Sequence, residues 1–430
     1  MPTERPTNPG RALAAALDAV RADRLVPLLQ ELVRIASVTG SAAETDGQHW
    51  LGGHLDRLGL ETDLWQVDLA ELRTDPDFPG LEVDRQQAWG LAATWGDGPG
   101  PTLLLNGHLD VVPVGDPASW QVPPFGGQVH GDRVYGRGAC DMKAGLACQV
   151  MAVTVLKEAG VRLAGRVQLQ SVVGEEDGGL GTFAALRRGH RGDAAVICEP
   201  TRLAVVPAAA GALTFRLTIT GRAAHASLRD QGVDAVEKYL SVHQALRALE
   251  ARRNRDPHPL LERYRIPYPL SIGTVRSGDW ASSVPDLLVA QGRIGVALGE
   301  EPKNARADLA ACLDDVCAAD PWLREHPIHL EWYGGQFASG QLPSGSPLLG
   351  QVLAAHRAVT GQDADVHGVP YGSDLRLLTA AGIPTVHYGP GDIALAHSPN
   401  ESVPVSELLT ATRALVLLVA DVCGPVLSGG

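Results

Sequence analysis

Apolar residues recur every three or four positions from Leu13 through Leu17, Val20, Leu25, Leu28, Leu29, Leu32 and Ile35, which predicts one or two amphipathic helices over 11–36. Ser37-Val-Thr-Gly-Ser breaks that period, and a further helix is expected through Trp50, Leu55 and Leu58. Residues 68–86, rich in Asp, Pro and Arg, read as a loop or insertion ahead of Ala92-Ala-Thr-Trp. The texture then changes to short apolar runs that stop at glycine or at an acid followed by proline. Leu103-Leu104-Leu105, residues 166–173 and Ala195-Val196-Ile197 have the pattern of buried parallel strands. Helices are expected through 145–159 and 181–188 between them, and this alternation of strand and helix predicts a parallel α/β sheet. The Pro- and Gly-rich stretch 113–138 is mostly loop, with a short hairpin at Val129 and Val134-Tyr135.

At about residue 211 the pattern turns to alternation. Leu213–Thr220 reads as a half-exposed strand, followed by a helix (232–249), strands near 270–276 and 286–298, a helix (304–317) and a strand (328–333). That β-α-β-β-α-β order predicts a ferredoxin-like layer. The α/β texture returns with helices over 348–359, 374–381 and 404–422 and extended segments at 365–369 and 383–388. The expected class is therefore α/β, a mixed or parallel sheet flanked by helices. Residues 1–210 and 337–430 form one domain, and 211–336 are an inserted α+β domain.

Composition narrows the function. A formal charge of −13 argues against a general nucleic-acid or anionic-membrane surface. No apolar run is long enough to span a bilayer, and the opening residues resemble neither a signal nor a transit peptide. Six scattered cysteines are too few for a disulfide scaffold, and Cys312 and Cys317 lack the paired Cys-x-x-Cys of a structural zinc site. Reduced thiols and a cytoplasmic address are expected.

The chemistry gathers where the apolar runs end. His108, Asp141, Glu175, Glu176 and Glu199 stand at or near the strand ends, where open α/β sheets bind ligands, and His397 lies far downstream. Taken singly, each is more often a cap or an ion-pair partner than a ligand. Several acids brought together would repel unless a cation offset them, and imidazole with carboxylate suits divalent ions such as zinc. One of two adjacent glutamates can bind metal while its neighbour moves a proton. Asp110 reads as an orienting partner of His108, Asp177 as a solvated loop acid, and Cys140 as a packed side chain. There is no Gly-x-Ser-x-Gly nucleophile elbow.

In order along the chain stand Asn-Gly-His108-Leu-Asp110-Val-Val-Pro, Tyr-Gly-Arg-Gly-Ala-Cys-Asp141-Met-Lys-Ala-Gly, Gly-Glu175-Glu176-Asp-Gly-Gly, Cys-Glu199-Pro-Thr and Ala-His397-Ser-Pro-Asn-Glu. Together they resemble the two-zinc metallopeptidases that include acetylornithine deacetylase, succinyl-diaminopimelate desuccinylase, aminoacylase and glutamate carboxypeptidase. The likeness covers nearly the whole chain, including the insertion. It implies a zinc-peptidase-like fold and two divalent ions, zinc first and cobalt second. His108 and Glu199 would hold one ion, Glu176 and His397 the other, and Asp141 would bridge them. Asp110 would hydrogen-bond His108 and fix its tautomer. Glu175 would act as general base and then as general acid in cleaving the amide of a small N-acyl substrate.

Gly221-Arg-Ala-Ala-His225-Ala-Ser matches the family's insertion-domain histidine, which reaches the neighbouring subunit's site and contacts the oxyanion. The resemblance thus also implies a homodimer through the inserted lid domain. Two positions depart from the family. Ser282-Ser283-Val284-Pro285 stands where many relatives have Asn-x-x-Pro, and Gly295 where they have a carboxylate-gripping arginine. Arg293, two residues earlier on the same strand face, is either its substitute or a solvated edge residue. Ser283 and Arg376, the latter in Gly372-Ser-Asp-Leu-Arg, are further candidate substrate contacts. Glutamate at position 199 is shared with the family's deacylases, which points to an N-acyl amino acid or related N-acyl amine. Dipeptidase, carboxypeptidase or N-formyl amine deformylase activity is the alternative, and a non-catalytic binding homologue the remote one.

Overall fold

A computed structural model describes residues 9–424, so the opening residues that bear on targeting lie outside the described residues. The chain begins with helices α1 (Pro9–Ala19), α2 (Ala22–Arg34) and α3 (Ala42–Arg57). Strand β1 (Glu61–Gln66), the one-turn helix α4 (Leu69–Leu72), and strands β2 (Trp89–Trp95) and β3 (Thr102–His108) follow. The hairpin β4 (Gln128–His130) and β5 (Arg133–Tyr135) leads to α5 (Lys143–Glu158), β6 (Arg166–Val172), α6 (Leu180–Arg188) and β7 (Ala194–Ile197).

After the short β8 (Ala208–Ala209) comes the second unit: β9 (Gly211–Thr220), α7 (Ala235–Arg253), β10 (Leu270–Ser277), β11 (Leu287–Val296), α8 (Pro302–Ala319), α9 (Pro321–Glu325) and β12 (His329–Phe337). Its sheet has the order β10-β11-β9-β12 and is antiparallel throughout, the ferredoxin-like arrangement expected from the element order. The chain returns through β13 (Gly340–Gln341), which pairs with β8, then α10 (Pro347–Thr360), α11 (Leu375–Ala380), β14 (Thr385–His387), β15 (Ser402–Pro404) and α12 (Val405–Cys423).

The main sheet runs β1-β2-β6-β3-β7-β14. Strands β6, β3, β7 and β14 are parallel, and β2 and β1 add an antiparallel edge. Leu103, Leu104 and Leu105 of β3 are fully buried, as a strand covered on both faces must be. Helices α5 and α12 pack on β3, while α3 and α6 cover β2. Close approach at one point demands glycine: a Cβ on Gly145 of α5 would stand 2.2 Å from the Cys198 carbonyl.

The stretch 61–66 was not anticipated and forms the sheet edge. The segment 68–86 is the expected loop apart from α4, but it packs inward at Arg85, which is buried between Glu44 and Asp177. Among the described residues no helix is long and apolar enough to cross a membrane.

Candidate metal centre

Because β6, β3 and β7 are parallel neighbours, their carboxyl ends open on the same side of the sheet. His108 is the last residue of β3, Glu175 and Glu176 follow β6, and Glu199 follows β7. Asp141 stands just ahead of α5, and His397 arrives on the loop before β15. The structure brings five of the expected residues into two overlapping triads: His108, Asp141 and Glu199 in one, Asp141, Glu176 and His397 in the other.

Asp141 faces both. Its Oδ1 lies 3.1 Å from His108 Nε2, and its Oδ2 lies 3.4 Å from His397 Nε2. Glu199 Oε1 is 3.9 Å from His108 Nε2, and Glu176 Oε1 is 3.1 Å from His397 Nε2. Within each triad one ligand atom per residue lies within 4.8 Å of the others.

The electrostatics describe a site short of positive charge. Burial, then repulsion from Asp374, pushes the Glu175 carboxyl well above the usual carboxylate range. Burial and then Asp141 push Glu199 well above that range and raise Glu176. Hydrogen bonds to Asp141 and Glu176 raise His397 to about 10. Burial would lower His108, but its bond to Asp141 and the nearby Glu199 raise it instead. Buried carboxylates that can ionise only by sharing protons or a cation, set beside two imidazoles, are a donor set suited to divalent ions. The residues therefore fit two such ions, one per triad.

The orienting role expected of Asp110 is divided between two of its groups. His108 Nδ1 donates to the Asp110 main-chain carbonyl at 2.8 Å, while the carboxylate lies farther off at 3.8 Å. This bond still leaves Nε2 free for a ligand role. The Asp110 carboxylate instead accepts the backbone N–H groups of Glu175 and Glu176 and the Thr39 hydroxyl. It therefore shapes the glutamate turn directly.

Asp177 is likewise not a solvated acid. It is buried, paired with Arg85 at 3.0 Å, and Arg85 also grips Glu44. Arg376 is buried too, donating to the Ser373 and Gly178 carbonyls with its guanidinium over the Phe337 ring, so it presents no group to a substrate. Asp110, Arg85 and Arg376 thus hold the Glu175–Glu176 loop from three sides.

Sequence reasoning assigned no role to Glu401 or Arg137. Glu401 is fully buried, pairs with Arg137 at 2.6 Å, and accepts the N–H groups of Cys140 and Asp141. Arg137 also donates to the Ser398 carbonyl, next to His397. Their places inside two recognised motifs were the available signal. Tyr371 was also missed: it lines the cavity, and its buried hydroxyl has no partner among the described residues.

The cavity, about 380 Å³, is the size of a small-molecule site. Asp141, Glu175, Glu176, Glu199 and His397 line its floor, and Arg293, Ser271 and Pro269 close it from the antiparallel unit. His225 and Ser283 lie elsewhere, bridged to each other and exposed. Arg293, a cavity residue, pairs with Thr214 of β9, whereas His225 lies beyond Thr220 at the far end of that strand, with about 20 Å of extended strand between Thr214 and Thr220.

Peptidase family M20/M25/M40 matches the chain over residues 104–421. An N-formyl-4-amino-5-aminomethyl-2-methylpyrimidine deformylase of Halalkalibacterium halodurans is 27% identical over 425 residues, covering 93% of this chain and 95% of its own. A succinyl-diaminopimelate desuccinylase of Rhodospirillum centenum is 30% identical over 403 residues, covering 90% of this chain and 94% of its own. A dipeptidase structure from Saccharomyces cerevisiae superposes with a TM-score of 0.76 at 16% identity, covering 95% of this chain and 98% of that one, a likeness of fold.

Proposed function

Since the chain belongs to peptidase family M20/M25/M40 and is a hydrolase of amide or acyl-amine bonds, we propose that it removes the acyl group from a small N-acyl amine or N-acyl amino acid. The observation that carries this reading is Asp141, whose two oxygens face two separate triads beside Glu175. His108, Glu199 and Asp141 would hold one divalent ion, and Glu176, His397 and Asp141 a second, with zinc favoured over cobalt by the mixed imidazole and carboxylate donors. When bound, such ions supply Lewis acidity that polarises a carbonyl and makes water a stronger acid.

The remaining work falls to side chains. Glu175 takes a proton from the attacking water and returns it to the leaving amine nitrogen as the C–N bond breaks. A carboxyl raised by burial holds that proton between the two steps. The unpartnered Tyr371 hydroxyl is a donor available to the oxygen that gains charge.

The whole-length likeness to a deformylase favours one specific reading, an N-formyl amine as substrate. Hydrolysis of N-formyl, N-acetyl and N-succinyl amines and of dipeptides by one metal-loaded preparation discriminates among these. Glu175→Gln should lower kcat by about a thousandfold while metal content stays the same. Full activity in that variant would sink the mechanism.

We further infer a homodimer through the inserted unit. Leu228, Val236, Leu240, Val275, Trp280 and Leu287 are exposed there, and β10 leaves one edge of its sheet unpaired. In such a pair His225 would act in the partner's site, which distance denies it in its own. Sedimentation measurements test this, and a monomer at micromolar concentration argues against it. The six free cysteines suit a reducing compartment, hence a cytoplasmic enzyme.

A further inference from the structure

The acids of the cavity have been given work; its one long cation has not. Among the described residues, Arg293 is the cavity's only arginine or lysine. Its side chain is 46% exposed, enough for a substrate to reach it. Yet its Nη2 donates at 2.6 Å to Glu82 Oε1, from the segment between β1 and β2. The same oxygen accepts the Thr214 hydroxyl at 3.0 Å. Thr214 and Arg293 are direct cross-strand partners on β9 and β11, so Glu82 sits over that pair and is held by both members. Glu82 itself does not line the cavity.

We propose that Glu82 masks Arg293, so that this enzyme selects acyl amines with no carboxylate beside the scissile amide. This deepens the acyl-amine reading and rests on it. A free guanidinium at the rim would pair with such a carboxylate through charge-assisted hydrogen bonds. Here that partner is already supplied by the chain, and a tethered carboxylate competes at millimolar effective concentration or above. A substrate anion must displace it and leave Glu82 unpaired. With Arg293 neutralised, the other charged groups lining the cavity are four carboxyl residues and His397, so nothing else compensates a substrate anion except bound metal. A neutral or cationic amine meets no such penalty.

The test compares N-acetylnorleucine with N-acetylpentylamine, which differ only by the carboxylate. The native enzyme should favour the pentylamine in kcat/KM. Glu82→Gln should move the ratio toward the carboxylate substrate by about tenfold, the worth of one charge-assisted hydrogen bond, and the change should lie in KM. Adding Arg293→Met should remove that gain. In a Glu175→Gln background, where turnover is suppressed, calorimetry should read the same shift in Kd for N-acetylnorleucine. An unaltered ratio and Kd in Glu82→Gln overturns the proposal, as does a gain that survives Arg293→Met. Hydrolysis of no acyl amine by any of these proteins instead overturns the amidase reading, while the calorimetric arm still decides the mask.

Discussion

The two triads that meet at Asp141 are held in different ways. His108 and Glu199 stand at the ends of adjacent strands, β3 and β7, and their side chains are 1% and 6% exposed. Glu176 and His397 stand on loops, and the His397 side chain is 51% exposed. His397 also has φ 59°, a backbone region that L-residues seldom occupy. A strand-borne ligand is aimed by the ladder of hydrogen bonds behind it. The loop-borne ligands are aimed by buried ion pairs, Arg85 with Asp177 next to Glu176, and Arg137 with Glu401 behind His397. His108 and Glu199 are therefore placed mainly by the sheet, and Glu176 and His397 mainly by buried charges around their loops, while Asp141, whose N–H Glu401 accepts, is common to both triads.

Ligand deletion breaks this contrast most directly. Both His108→Ala and His397→Ala should lower kcat/KM by roughly a thousandfold, since several kcal/mol of Lewis-acid stabilisation goes with either ion. They should differ in metal content. His397→Ala should keep one equivalent, held by the buried triad, and a chelator should strip one equivalent from the native protein well before the other. Equal loss in both variants, read by atomic absorption, would show that the triads are equivalent.

The ion pairs come next. Arg137→Met leaves Glu401 buried without its partner, which should cost about 3 kcal/mol. Thermal melting reads the loss of stability, and weakened occupancy of the His397 site should accompany it. Melting unchanged within error would mean that the loop is placed by packing alone.

The smallest effect lies on the strand side. Burial pushes His387 of β14 down to about 3, and Ser373 hydrogen-bonds its Nε2. The unfolded imidazole titrates near pH 6.5, so between about pH 6.5 and 3 the unfolded chain holds a proton that the folded one refuses. The stability is fully present above pH 6.5 and falls as the solution is acidified. From pH 6.5 to 5 this share is about 2 kcal/mol. In urea titrations His387→Gln should lose that much less over the same interval, and parallel curves would refute the assignment.

The same contrast governs what could be read from the sequence. His108, Glu175, Glu176 and Glu199 were legible because a buried strand writes an apolar run and its end writes a motif. His397 was legible through its motif alone. The supports were not. Arg85 sits among Asp, Pro and Gln residues that look solvated, and its burial follows from Glu44 and Asp177, distant in sequence. Arg376 looked available to a substrate because the carbonyls that occupy it are set by tertiary turns. Arg293 was visible as a candidate, whereas its partner Glu82 belongs to a segment without periodicity. Local pattern records how a side chain is presented; it does not record who already holds it.

The two chain crossings into and out of the antiparallel unit run side by side, with Ala209 paired to Gly340 and Ala208 to Gln341. The ends of the insert are therefore neighbours, and a single tight turn could join them. The residues of both triads, His108, Asp141, Glu176, Glu199 and His397, all lie outside the insert. Such geometry makes the insert a self-contained module: Pro269, Ser271 and Arg293 reach the cavity from it, while the residues of both triads stay on the other side of the join.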